Sequence, residues 1–304
     1  MKNKESCAKA LRELLGDECV LIDEPLKPHT SFRVGGPADF YLLPENVPAL
    51  QKTLSFLKNE EIPYFIMGNG SNLLVSDDGF KGAVIRFGKN MESVRLDGLT
   101  IHAESGASLA SVARTAAKAE LTGLEFAGGI PGSIGGACVM NAGAYGGEMK
   151  QVLKNVRCLN EQFEEEVISG DDLQLGYRTS VFSSRPLIAL EAEMELRPGN
   201  AEEINAMMED FRQRRQDKQP LDLPSAGSTF KRPEGYFAGK LIMDAGLRGY
   251  RVGGASVSEK HCGFVVNDRG ATAADISRLI EDVRRIVLEQ SGVYLETEVR
   301  YLGF

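Results

Sequence analysis

The stretch AGGIPGSIGGACVMNAGAYGGE, Ala127–Glu148, decides how this chain is read. Eight of the twenty residues from Gly128 to Gly147 are glycine, and none from Phe126 to Gly147 is charged. With side chains this small, backbone N–H groups are the available donors. Consecutive N–H groups in turns form concave anion sites without any lysine. The alternative is a tight loop that packs structural backbone, at a high cost in folding entropy for so much glycine.

Working outward, a second glycine turn, MGNGSNLLVSDD (67–78), follows a strand expected for PYFIMG. A strand feeding a glycine turn suits a phosphate, but this is no P-loop, because the GK[ST] ending is absent. Leu73 also stands where a Rossmann fingerprint needs its third glycine. An ordinary β-turn explains the stretch equally well. Three further segments carry chemistry-bearing side chains. In SAGSTFKRP (225–233) a serine among small residues lies near Lys231 and Arg232, and suits a proton donor, an anion contact or a capped turn. No GxSxG is present, so a hydrolase triad is not supported. In GYRTSVF (176–182) an arginine beside an aromatic suits a carboxylate or phosphate, or is a plain surface arginine. Glu298 on the terminal segment is a candidate acid or a solvated strand residue.

The elements around these segments alternate between helix and strand. Helical spacing spans 6–15 with Gly16 as a stop, and Pro48 opens a helix to about Lys58. KGAVIRF (81–87) and LTIHAES read as strands, with GNGSNLLVSDDG as loop, and Ser108 caps an alanine-rich helix to Ala119. Residues 188–196 alternate cleanly, as a half-buried strand does. A helix near Glu202 shows an apolar side of Ile204, Met207, Met208 and Phe211, and Pro220 stops it. Thr272 and Asp275 form a capping-box variant, and Gly292 closes that helix. VYLETEVRYLG reads as one strand, with Val293, Leu295, Val299 and Tyr301 on one face and Glu296, Glu298 and Arg300 on the other.

Composition narrows the classes. At 304 residues, two or three domains are expected. With 42% hydrophobic and 26% charged residues, the chain is globular, not disordered. No apolar run reaches a membrane span, and the charged N-terminus carries no secretory signal, so a cytoplasmic protein is expected. The net charge of -8 argues against nucleic acid as a partner. Five scattered cysteines and three distant histidines argue against disulfides and metal.

Taken in order, TSFRVGGPADFYL (30–42), the two glycine turns, GYRTSVF, PSAGSTFKRP, AGKLIMDAGLRGYRVGGASVSEKHCGFVVN and LETEVR resemble the UDP-N-acetylenolpyruvoylglucosamine reductases over about residues 28–304. The resemblance implies an α+β chain of the vanillyl-alcohol-oxidase (PCMH) type, with two FAD-binding subdomains and a C-terminal α+β substrate domain. Their expected bounds are 1–88, joined by the terminal strand 296–304, then 89–202, then 203–295. It implies non-covalent FAD, NADPH as reductant and a sugar-nucleotide substrate, UDP-N-acetylglucosamine-enolpyruvate, reduced to UDP-N-acetylmuramate for peptidoglycan. Gly68, Asn69, Gly70, Ser71, Asn72 and Leu73 fall on the family's pyrophosphate turn. Gly132, Ser133, Ile134, Gly135, Gly136, Asn141 and Tyr145 fall where the flavin is lined. The proton-donor serine falls on Ser228, and the catalytic arginine and glutamate on Arg178 and Glu298. Tyr177, Lys231, Lys240 and Lys260 stand on the substrate side. Arg178 and Ser228 are 50 positions apart, which resembles the shorter subclass without a tyrosine-bearing loop over the substrate. Two other readings stay open: a flavin oxidoreductase of the same fold acting on an alcohol or sugar, and a nucleotide- or flavin-binding module without turnover.

Overall fold

Asn3 opens the first helix, Lys4–Leu15, by accepting from the Glu5 N–H at 2.9 Å, and Gly16 ends it. Asn46 does the same for Val47–Asn59, where Pro48 sits in the first turn and removes no needed donor. The structure, a computed structural model, describes residues 3–87 and 89–304. The first expected boundary, at residue 88, lies outside them. Compactness divides the chain into two units interleaved along the sequence. One comprises Met1–Ile22, Phe40–Asn69 and Gly82–Gln213; the other Asp23–Asp39, Gly70–Lys81 and Arg214–Phe304.

The first unit contains two apolar cores. In one, the helices Lys4–Leu15 and Val47–Asn59 bury Leu11, Leu50, Leu54 and Leu57 with Ala83 and Ile85. Strand Tyr64–Met67 pairs in parallel with Phe80–Arg86, Tyr64 opposite Ala83. In the other, helix Leu109–Lys118 buries Leu109, Val112, Ala113 and Ala116. Its sheet has five antiparallel strands in the order Glu165–Ser169, Leu153–Leu159, Ile188–Glu195, Thr100–Glu104, Val94–Asp97.

The clean alternation expected over 188–196 is interrupted. Arg157 faces Glu191 and Cys158 faces Ala189, so Leu190 bulges out of the ladder. A bulge residue shifts the faces. Ile188 and Leu190 therefore join the first core, whereas Ala189, Ala192 and Met194 join the second. The displaced Leu190 carbonyl accepts the Ser105 N–H at 2.8 Å. Helix Ala201–Lys218 also departs from expectation: Ile204 is buried and Met208 and Phe211 pack on the core, but Met207 is 46% exposed.

The second unit is built on helix Ala273–Ser291, opened by the Thr272–Asp275 capping box and closed by Gly292 at φ 71. Its stripe of Ile276, Leu279, Ile280, Val283 and Val287 shares a core with Ala255, Val257 and Val265 of the antiparallel strands Ala255–Val257 and Val265–Asn267. Asp77 adds a second cap, accepting from the N–H groups of Ala273 and Ala274 at 2.8 and 2.9 Å. The terminal segment is not one strand. Thr297 bridges to Phe230, and only Arg300–Leu302 continues, parallel to Leu73–Val75. Leu73–Val75, read as loop, is thus a strand, and all three of its residues are buried. Among the described residues, no helix is long and apolar enough to cross a membrane.

Candidate active site

The glycine turn after Met67 holds its shape through contacts that leave no room for side chains. Gly70 has φ +61, and a Cβ there would lie 2.1 Å from the His29 carbonyl oxygen. A Cβ on Gly68 would lie 2.4 Å from Ser133 Oγ. The second of these contacts brings the two glycine stretches together within the first unit. The N–H groups of Gly68, Asn69, Gly70 and Ser71 have no partner among the described residues. Such a run of unpaired donors is what an anion needs.

The longer glycine stretch is more self-contained. Ser133 caps the short helix Ile134–Met140 by accepting from Gly136. The Ile134 N–H donates to Ala107 at 2.8 Å, and that of Gly135 to Ser105 at 3.0 Å. Three donors of the expected nest are thus engaged inside the protein, while those of Gly132 and Ser133 have no partner among the described residues. Gly136 is exposed, and a Cβ there would meet only Ser133 Oγ at 3.7 Å.

Asn141 closes the helix in the left-handed region, at φ 43, and is 1% exposed. Its Nδ2 donates to the Gly176 carbonyl at 3.0 Å and to Glu148 Oε2 at 3.1 Å. Its Oδ1 accepts from the Lys150 N–H at 2.8 Å. The amide therefore ties the arginine turn to the glycine stretch. Tyr145 and Arg178 also adopt positive φ, both 55°. Non-glycine residues hold this conformation at a cost of about 1–3 kcal/mol, and such outliers cluster at functional sites. Arg178 donates from Nη2 to the Gly143 carbonyl at 3.3 Å, and its guanidinium lies 5.3 Å from the Tyr177 ring centre. Tyr145 stacks on Phe211 at 4.7 Å and 10°.

In the second unit, Ser228 is exposed, and its hydroxyl has no partner among the described residues. The residues behind it are locked. Thr229 N–H donates to Gly263 at 2.9 Å, and Thr229 Oγ1 accepts from Val265 at 3.0 Å. Glu298 N–H donates to the Thr229 carbonyl at 2.9 Å, and Lys231 N–H to Glu296 at 2.8 Å. This ladder brings Ser228 and Glu298 together, which no local pattern in the sequence announces. Asn72 donates to the Glu298 carbonyl at 2.9 Å. Leu73 is 6% exposed inside its strand. Each lysine expected on the substrate side has a partner: Lys231 pairs with Glu296, Lys240 with Asp244 at 2.7 Å, and Lys260 with the Gln216 carbonyl at 2.6 Å. His261, next to that lysine, accepts from Gly263 N–H at Nδ1, and burial lowers its pKa, so the ring stays neutral.

A close approach at Gly68 that a Cβ would fill, and a run of N–H donors with no partner among the described residues, fit a bound dinucleotide. The fold and site define an FAD-binding oxidoreductase. Residues 38–162 match the FAD binding domain family, and residues 219–302 match the family described as UDP-N-acetylenolpyruvoylglucosamine reductase, C-terminal domain. The chain is 50% identical to the reductase of that name from Clostridioides difficile (strain 630), over 96% of each chain. It is 49% identical to that of Caldanaerobacter subterraneus subsp. tengcongensis, over 96% of this chain and 97% of the relative. The crystal structure of the Thermus caldophilus reductase superposes with a TM-score of 0.80 at 35% identity, over 93% of this chain and 98% of that one. The fold alone extends to p-cresol methylhydroxylase, with a TM-score of 0.50 at 14% identity, over 64% of this chain and 43% of that one. This chain belongs to the UDP-N-acetylenolpyruvoylglucosamine reductase family.

Proposed function

We propose that the chain reduces the enolpyruvyl group of UDP-N-acetylglucosamine-enolpyruvate to give UDP-N-acetylmuramate, in the cytoplasm, for peptidoglycan precursors. Bound FAD would supply the hydride chemistry, from NADPH to the vinyl carbon. The N–H groups of Gly68–Ser71 meet the cofactor's diphosphate, while Gly132–Gly136, with Asn141 and Tyr145 around them, form its cradle. Residues 1–88, 296–304 and 89–202 hold the cofactor, and 203–295 the substrate.

Arg178 presents a guanidinium fork to the substrate carboxylate, with Tyr177 against its plane. Glu298 polarises the same group, and the Arg178 cation stabilises the negative charge that builds there. Ser228 Oγ gives the proton that completes the reduction. Of the lysines, Lys240 exchanges partners most readily, because its bond to Asp244 is an exposed i,i+4 pair. It and Lys260 are the favoured contacts for the uridine diphosphate, ahead of Lys231.

The observation that supports this reading is the backbone ladder that ties Glu298 to Thr229, the neighbour of the exposed Ser228. Identity of about half to the reductases favours this substrate over a simple alcohol or sugar. Ser228→Ala tests it by stopped-flow flavin absorbance. Reduction by NADPH is expected to stay normal. Reoxidation by the enolpyruvyl substrate should slow by about 10²–10⁴-fold, the worth of a positioned general acid. Since the exposed hydroxyl holds nothing in the fold, stability should move by no more than about 0.5 kcal/mol. Equal slowing of both half-reactions, or of neither, removes Ser228 from the mechanism.

A further inference from the structure

Asn72 holds two peptide groups of the terminal segment at once. Its Nδ2 donates to the Glu298 carbonyl at 2.9 Å, and its own carbonyl accepts the Arg300 N–H at 3.0 Å. On its other side, the Glu298 N–H donates to Thr229, the neighbour of Ser228. The Glu298 residue is thus strung between the glycine turn and the serine loop, with one main-chain bond to each. Asn72 directly follows Gly68–Ser71, whose N–H groups have no partner among the described residues. A turn that tightens round an anion moves the residue next to it. An amide suits this post: it offers a donor on a short stem, where a carboxylate would set oxygen against oxygen.

We propose that Asn72 is a positioning residue for Glu298, through which occupancy of the cofactor turn sets the glutamate for substrate reduction. The proposal rests on the reading of Gly68–Ser71 as the FAD diphosphate turn. It gives Asn72 a task other than ligand contact, and it makes binding at the turn a condition for an ordered Glu298.

The test uses the full-length, FAD-loaded protein with Asn72→Ala and Asn72→Asp. Both variants are expected to retain FAD at saturating concentration, with any loss of FAD affinity or of the rate of reduction by NADPH smaller than the loss in reoxidation. Reoxidation by the enolpyruvyl substrate should fall by up to about 10²-fold, as for a misplaced catalytic group. In a Glu298→Gln background, Asn72→Ala should add no further slowing, because the two residues act as one. A readout independent of turnover is amide hydrogen exchange over 296–302. FAD should slow it in the unsubstituted protein and leave it unchanged in Asn72→Ala. Additive effects in the cycle, equal protection by FAD in both proteins, or loss of FAD binding in both variants overturns the proposal. If the unsubstituted protein binds no FAD, the functional reading and this proposal both fall. If it binds and turns over while the cycle is additive, only the role of Asn72 falls.

Discussion

Gly135 and Gly136 are adjacent glycines with different reasons to be glycine. A Cβ on Gly135 would press on Ser105, at 3.0 Å from its Cβ and 3.1 Å from its Oγ. A Cβ on Gly136 would enter space that the protein leaves open. Gly136→Leu should therefore keep or raise the melting temperature of the apoprotein, since leucine favours a helix over glycine by up to about 1 kcal/mol. It should still weaken FAD binding by at least tenfold, about 1.4 kcal/mol. Gly135→Leu should lower both. Flavin titration beside thermal unfolding checks this, and undiminished FAD affinity in Gly136→Leu would remove the cradle. At this scale residue type and neighbours alone leave Arg178, Ser228 and Glu298 open between a site and a plain surface or turn, and only the family resemblance gives them roles. For Asn141 it offers only a place along the flavin, and not the tie to the arginine turn, because that bond reaches Gly176, 35 positions away.

Helix Ala273–Ser291 shows what one element owes to local signals. Its capping box is written in consecutive residues, and was legible. Asp275 accepts from Thr272 and Gly254 N–H groups, and these bonds hold its carboxyl below the usual carboxylate range. A group with a lowered folded pKa stabilises above its unfolded value, near 3.9, and that support is lost as pH falls through the folded value. Asp275→Asn should accordingly destabilise at pH 6, with the difference from the unsubstituted protein shrinking below about pH 4. Urea unfolding at pH 6 and pH 3 measures it, and a pH-independent difference refutes the charge argument. The strand Leu73–Val75 was not legible, because three buried residues between turn formers show no period. Its partner, Arg300–Leu302, lies at the far end of the chain. The Leu190 bulge was hidden for a related reason: register belongs to the pair of strands, and only one of them is read at a time.

Over the whole molecule, five free cysteines report how tightly the chain is closed. Cys7, Cys138, Cys158 and Cys262 are buried, and burial pushes the Cys138 thiol up to about 12 and that of Cys158 up to about 11. Cys19 is partly accessible, and burial, with Glu45 and Glu18 nearby, raises its pKa too. Native protein should yield one thiol to a chromogenic disulfide, slowly at pH 7 and faster as pH rises, and five after denaturation. Rapid titration of two or more in the native state would show the interior to be open. A different consequence follows from the pairing of Leu73–Val75 with Arg300–Leu302. Asn72 and Glu298 are 226 positions apart, so a ribosome adding ~5–20 residues per second makes the turn roughly 10–45 s before its anchor emerges. The glycine turn is thus among the first parts synthesised and among the last secured. Stalled nascent chains that stop short of Arg300 should be clipped by protease within 70–79, and finished chains should not.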